Sequence, residues 1–176
     1  MKRKIYNKLK DWKDNRARKE ALLIDGARRV GKSYIVEEFA KNEYTSYILV
    51  NFANITKELR EIFDNYLNDL DSFFTRLSLW SGVKLYKHET LIIFDEVQLY
   101  PKAREAIKWF VADNRYDYIE TGSLVSIRKN TKGIIVPSEE CHLDMHPMDF
   151  EEFLWALGED SLMPFVEDCF VKKQAV

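Results

Sequence analysis

The residues with the clearest chemistry are Gly26-Ala27-Arg28-Arg29-Val30-Gly31-Lys32-Ser33, a G-x-x-x-x-G-K-S spacing. Two glycines let the backbone take turns that a side chain would forbid. The amides of such a loop converge on an anion, and a helix starting at its end adds a positive terminus. Phosphate is the natural guest. Gly26, Ala27, Arg28, Arg29, Val30, Gly31, Lys32 and Ser33 are therefore the candidate nucleotide-binding residues. Lys32 would reach the β- and γ-phosphates, and the Ser33 hydroxyl would bind Mg²⁺. Further on, the apolar run Leu91-Ile92-Ile93-Phe94 ends in Asp95-Glu96. Asp95 is placed to hold the same Mg²⁺ through water. Glu96 points differently along the pleat and is the candidate general base toward an attacking water. Gln98 could orient that water, sense the γ-phosphate or simply bond to backbone. Ser123, in Thr121-Gly122-Ser123, is the first candidate to contact the γ-phosphate or the water, with Thr121 in reserve.

These side chains need elements to carry them. Ala21 to Asp25 reads as a strand, and Lys32 to Asn42 as a helix with Ile35, Val36, Phe39 and Ala40 at helical spacing. Tyr44 to Phe52 is β-branched and aromatic, hence a second strand. Ile55, Leu59, Ile62, Phe63, Tyr66, Leu67 and Leu70 form a helical stripe. A further helix over about Asp71 to Trp80 ends at Gly82. The unbroken apolar run before Asp95 suits a central parallel strand buried on both faces. Its carboxyl end faces the crevice where ligands bind in such sheets. Pro101 to Asn114 reads as a helix and Tyr116 to Glu120 as a fourth strand. Lys129 to Gly133 reads as a polar turn. The fifth strand is either Ile134 to Pro137 or Cys141 to Met145. Asp149 and Glu152 form a capping pair before Phe153, Leu154 and Leu157, and Gly158 closes that helix. An apolar-periodic piece starts at Ser161.

The chain has 176 residues, enough for one domain, and 46% are hydrophobic, which is ample for a core. The net charge of −2 does not announce a nucleic-acid partner. Met1 to Glu20 is nonetheless basic, and Ile5, Leu9 and Trp12 recur at helical spacing. An amphipathic helix is expected there, whose basic face could meet DNA or a protein, or could simply be solvated. No apolar run approaches membrane-spanning length. Cys141 and Cys169 stand apart, which suits a reduced, cytoplasmic protein. His142 and His146 have a spacing that binds zinc on a helix, but they fall in an extended segment without an evident third ligand.

Taken together, Gly26 to Ser33, Leu91 to Gln98, Gly122-Ser123-Leu124 and Pro147-Met148-Asp149-Phe150-Glu151-Glu152-Phe153-Leu154 resemble the prokaryotic AAA-type P-loop ATPases. More narrowly, they resemble the branch whose core is followed by a C-terminal domain of unknown function. The likeness runs from about Lys2 to Leu162. It implies a three-layer α/β/α core with a parallel sheet in the order 5-1-4-3-2. It implies a Walker A loop at Gly26 to Ser33, a Walker B pair at Asp95 and Glu96, and a sensor-like residue at Ser123. Arg29 stands where relatives often carry Gln, and Ser33 where many carry Thr. Relatives usually continue past this point, so 1–20 is expected to be the basic helix, 21–160 the ATPase core and 161–176 the start of a truncated or absent C-terminal part. AAA-type ATPases often take an arginine from a lid or a neighbouring subunit, and no segment here is clearly that lid, so self-association is an expectation.

Three functions follow. The first is an ATP-binding domain with Mg²⁺-dependent hydrolysis coupled to an unknown partner, using Lys32, Glu96 and Ser123. The second is a nucleotide-binding switch or scaffold with little turnover. The third is a small-molecule kinase, which usually needs an arginine-rich lid over an acceptor pocket. A GTPase fits least, because Asn130-Thr131-Lys132-Gly133 is not a guanine-reading motif.

Overall fold

Alternate residues of the central strands face opposite ways, and both sets are apolar, so the sheet must be covered on both sides. A computed structural model describes residues 2–123 and 138–173. The strands are β1 (Ala21–Gly26), β2 (Ser46–Asn51), β3 (Thr90–Asp95), β4 (Asp117–Thr121) and β5 (Glu140–Met145). They form one parallel sheet in the order β2-β3-β4-β1-β5. This is the doubly wound P-loop NTPase arrangement that the family likeness implies. The helices are α1 (Ile5–Asn15), α2 (Lys32–Glu43), α3 (Lys57–Asn65), α4 (Leu70–Ser81), α5 (Pro101–Asp113), α6 (Phe150–Leu157) and α7 (Leu162–Lys172). Among the described residues no helix is long and apolar enough to cross a membrane.

One face of the sheet carries Leu22, Ile24, Leu91, Ile93, Ile119 and Met145, covered by Ile5, Leu9 and Trp12 of α1 and Ile35, Val36 and Phe39 of α2. The other carries Leu23, Ile48, Val50, Ile92, Phe94 and Tyr118, covered by α3, α4 and α5. This second layer is aromatic. Phe63 meets Phe73 edge to face with ring centres 5.1 Å apart, and Phe52 stacks on Tyr100 at 5.2 Å. Such pairs contribute about 0.5–1.5 kcal/mol each beyond their buried area. These rings are core, not a stacking platform.

One detail differs from the periodicity reading. The stripe from Ile55 to Leu70 is broken, because Leu70 belongs to α4, whose N-cap is Asp69 accepting from Ser72 N. Of the two candidates for the fifth strand, Cys141 to Met145 takes the place beside β1. Residues 134–137, the turn at 129–133, the Asn130 to Gly133 segment and Leu124 lie outside the described residues.

Candidate functional site

The turn between β1 and α2 is built by backbone conformation. Gly26 has φ 148° and Gly31 has φ 95°, and between them Arg29 also takes a positive φ of 64°. Gly26 is required by space as well. A Cβ there would stand 2.2 Å from the Met145 carbonyl oxygen at the end of β5. Gly31 then caps α2, with its carbonyl accepting from Ile35 N at 3.0 Å. Ala27, Arg28 and Arg29 are exposed at the tip. Lys32 turns back under the loop and donates to the carbonyls of Ala27 at 2.7 Å and Gly26 at 3.2 Å. Burial pushes the Lys32 ammonium below the usual lysine range, while the charges of Glu96, Asp95 and Asp25 oppose that shift. The loop therefore holds one buried cation facing three carboxylates.

Asp95 closes β3 on the same face as α2. Its Oδ1 accepts from Ser33 Oγ at 2.8 Å and from Thr121 Oγ1. Its Oδ2 accepts from Asn51 Nδ2 at 3.1 Å. Parallel register produces this cluster. Asn51 pairs with Asp95 across β2 and β3, and Phe94 pairs with Glu120, which sets Asp95 beside Thr121. Three strands thus end on one rung. Ser33 and Asp95 are hard oxygen donors side by side, the donor chemistry that suits Mg²⁺, which keeps several waters and takes one or two protein ligands.

Glu96 leaves the strand in the left-handed conformation, φ 56°. Its carboxylate accepts from Gln98 Nε2. Gln98 is thus tied to a side chain rather than serving only the loop backbone. Ser123 is buried just beyond β4, past Gly122, whose amide donates to Ile24 O at 3.2 Å. Thr121, the reserve candidate, points to the α2 face and donates to Asp95. Asn51 was not among the candidates. Its signal is weak in sequence, a polar residue ending a strand.

His142 and His146 do not act as a pair. His142 Nε2 lies 2.8 Å from Glu140 Oε1, whereas His146 lies beyond β5 and uses its backbone carbonyl to accept from Arg3. The basic N-terminus is largely spoken for. Lys2 pairs with Asp160, Lys4 with Asp149 and Glu151, Lys10 and Lys13 with Glu43, and Arg16 with Glu20.

A family model described as an AAA domain matches residues 18–154, which include the loop, Asp95, Glu96 and Ser123. The chain belongs to the AAA domain family. As an AAA domain it is an ATPase-type nucleotide-binding module. Among solved structures, PCH-2 of C. elegans matches with 13% identity and a TM-score of 0.39, over 88% of this chain and 44% of that one. The chain thus spans less than half of that structure. A search of curated proteins finds no match.

Proposed function

We propose that this AAA domain binds ATP with Mg²⁺ and hydrolyses it to ADP and phosphate. The observation that carries the reading is the convergence of Ser33, Asn51 and Thr121 on the Asp95 carboxylate beside the Gly26 to Ser33 loop. The loop amides and Lys32 hold the phosphates, Lys32 exchanging the Gly26 and Ala27 carbonyls for phosphate oxygens. Ser33 and Asp95 hold Mg²⁺. When bound, Mg²⁺ neutralises charge on the phosphate oxygens. Glu96 takes the proton of the attacking water as general base. Ser123 contacts the γ-phosphate side, and Thr121 orients Asp95.

The Gln98 contact supports a second reading, a nucleotide-binding switch with little turnover of its own. Glu96 bonded to Gln98 has one carboxylate oxygen engaged, and that oxygen cannot receive a water until the bond opens. Both readings leave room for self-association, which the exposed Phe165, Phe170 and Val171 of α7 support. A DNA or protein partner at α1 belongs to the reading as well. It draws less support, because the Lys and Arg side chains named above pair within the chain. The two isolated cysteines favour a cytoplasmic setting.

The deciding experiment is phosphate release from Mg²⁺-ATP at several protein concentrations, with Glu96→Gln as control. Turnover that is lost in Glu96→Gln while ATP still binds is the expected result. Unchanged turnover would remove Glu96 as base. Absent turnover with intact binding would favour the switch.

A further inference from the structure

Arg3 precedes α1 and its guanidinium is almost wholly buried, with side-chain exposure of 4%. A buried arginine needs partners at every donor edge. Its Nη1 donates to the Val30 carbonyl at 3.0 Å. Its Nη2 donates to the His146 carbonyl at 2.8 Å. Its Nε lies 3.2 Å from Glu152 Oε1, and that side chain is 7% exposed. Glu152 is itself fixed. It accepts from Lys4 N at 2.7 Å and from Asp149 N at 3.2 Å, and its own amide donates to Asp149 Oδ1 at 2.8 Å, the two bonds that cap α6. One side chain therefore ties the phosphate loop to the β5–α6 corner and to the start of α1.

The bond to Val30 bears on the anion site through peptide geometry. The Val30–Gly31 peptide is trans. In a planar trans unit the C=O and the N–H point in opposite directions. A Val30 carbonyl held on Arg3 directs the Gly31 N–H away from Arg3. Gly31 most needs such a hold. It has no side chain and sits at φ 95°, so its flanking peptides rotate at low cost. A Cβ on Gly31 would lie 3.8 Å from Arg3 Nη1 and 3.8 Å from Met145 Cε, so both groups flank the loop at this point.

We propose that Arg3 is a positioning residue for phosphate. It presets the Gly31 amide by holding the Val30 carbonyl, and it makes anion affinity depend on docking of the N-terminal segment against the α6 cap. The inference rests on the nucleotide reading above.

The test uses the full chain with Arg3→Met, Glu152→Gln and the double variant Arg3→Met/Glu152→Gln. Arg3→Met alone strands a buried carboxylate and lowers thermal stability. The double variant removes both charges, and Gln still serves a capping box, so stability returns. Affinity for Mg²⁺-ATP and for tripolyphosphate is measured by calorimetry. The loss of one charge-assisted hydrogen bond should lower both by about tenfold in the double variant, despite its recovered stability. Glu152→Gln alone leaves a buried guanidinium without its carboxylate and should lower stability, but it keeps the Arg3 bond to Val30, so its affinity should stay above that of the double variant. In the ligand-free protein, the Gly31 amide resonance should move in the double variant and not in Glu152→Gln, because only the former frees the Val30 carbonyl. Recovery of affinity together with stability, or an unmoved Gly31 resonance, would overturn the role of Arg3. Failure of the wild-type chain to bind either probe would instead overturn the nucleotide reading, and this role with it.

Discussion

Ser33 Oγ donates to Asp95 Oδ1 at 2.8 Å, joining the first turn of α2 to the end of β3 across a separation of 62 residues. The two groups proposed to share Mg²⁺ are thus already adjacent. Asp95→Asn retains the shape but turns one acceptor oxygen into a donor facing other donors. It should cost about 1–3 kcal/mol of stability. It should also abolish the extra thermal stabilisation that Mg²⁺-ATP gives over ATP with EDTA. A Mg²⁺ increment equal to wild type would exclude Asp95 from the metal site.

Lys32 is bonded to two loop carbonyls, so its loss bears on both the loop and the ligand. Lys32→Ala should weaken binding of triphosphate far more than that of adenosine, as seen by calorimetry. Equal weakening would mean that Lys32 acts through the fold. Burial lowers its ionisation, and phosphate favours the charged form. Triphosphate affinity should therefore fall on the alkaline side at a lower pH than an ordinary lysine would give.

A buried carboxylate pair sits on the other face of the sheet. Glu120 in β4 is fully buried, and its neighbour Glu140 is held by Arg104 through Nη2 at 2.8 Å and Nε at 3.2 Å. Burial first, then the hydrogen bond and charge of Glu140, push the Glu120 carboxyl well above the usual range. Its contribution to stability is complete below the ordinary glutamate value and is lost as pH rises toward the folded-state value. Through that window one proton changes stability by about 1.4 kcal/mol per pH unit. Glu120→Gln does not titrate, so its melting temperature relative to wild type should climb as pH rises above the ordinary glutamate value. A pH-independent difference would show that Glu120 is ionised in the fold.

Gly26→Ala should be the most damaging single methyl group in the loop. The added Cβ would meet the Met145 carbonyl at 2.2 Å, in a conformation with φ 148° that side chains avoid. The cost should be about 3 kcal/mol, from overpacking plus backbone strain, and denaturant unfolding would measure it. A cost near zero would mean that β5 shifts freely.

Local geometry carried much of what could be read from the residues in order. The loop from Gly26 to Ser33 is legible because its turns, its helix start and its lysine lie within eight consecutive positions, and short-range conformation needs no partner. The run before Asp95 is legible because a strand buried on both faces is apolar throughout. The cap at Asp149 is legible for the same local reason. The interruption between α3 and α4 was not, since one apolar stripe continues across it. Thr121 meets Asp95 because register decides which neighbours share a rung and a face, and register is a property of paired strands. Asn51 joins that rung through the pairing of β2 with β3. Arg3 reads as one more base in a basic segment until the fold brings Val30, His146 and Glu152 to it. Glu120 reads as the polar end of a strand until β1, β5 and α5 enclose it. Desolvation and long-range hydrogen bonding act between segments far apart in the chain, so these roles exist only once the tertiary structure has formed.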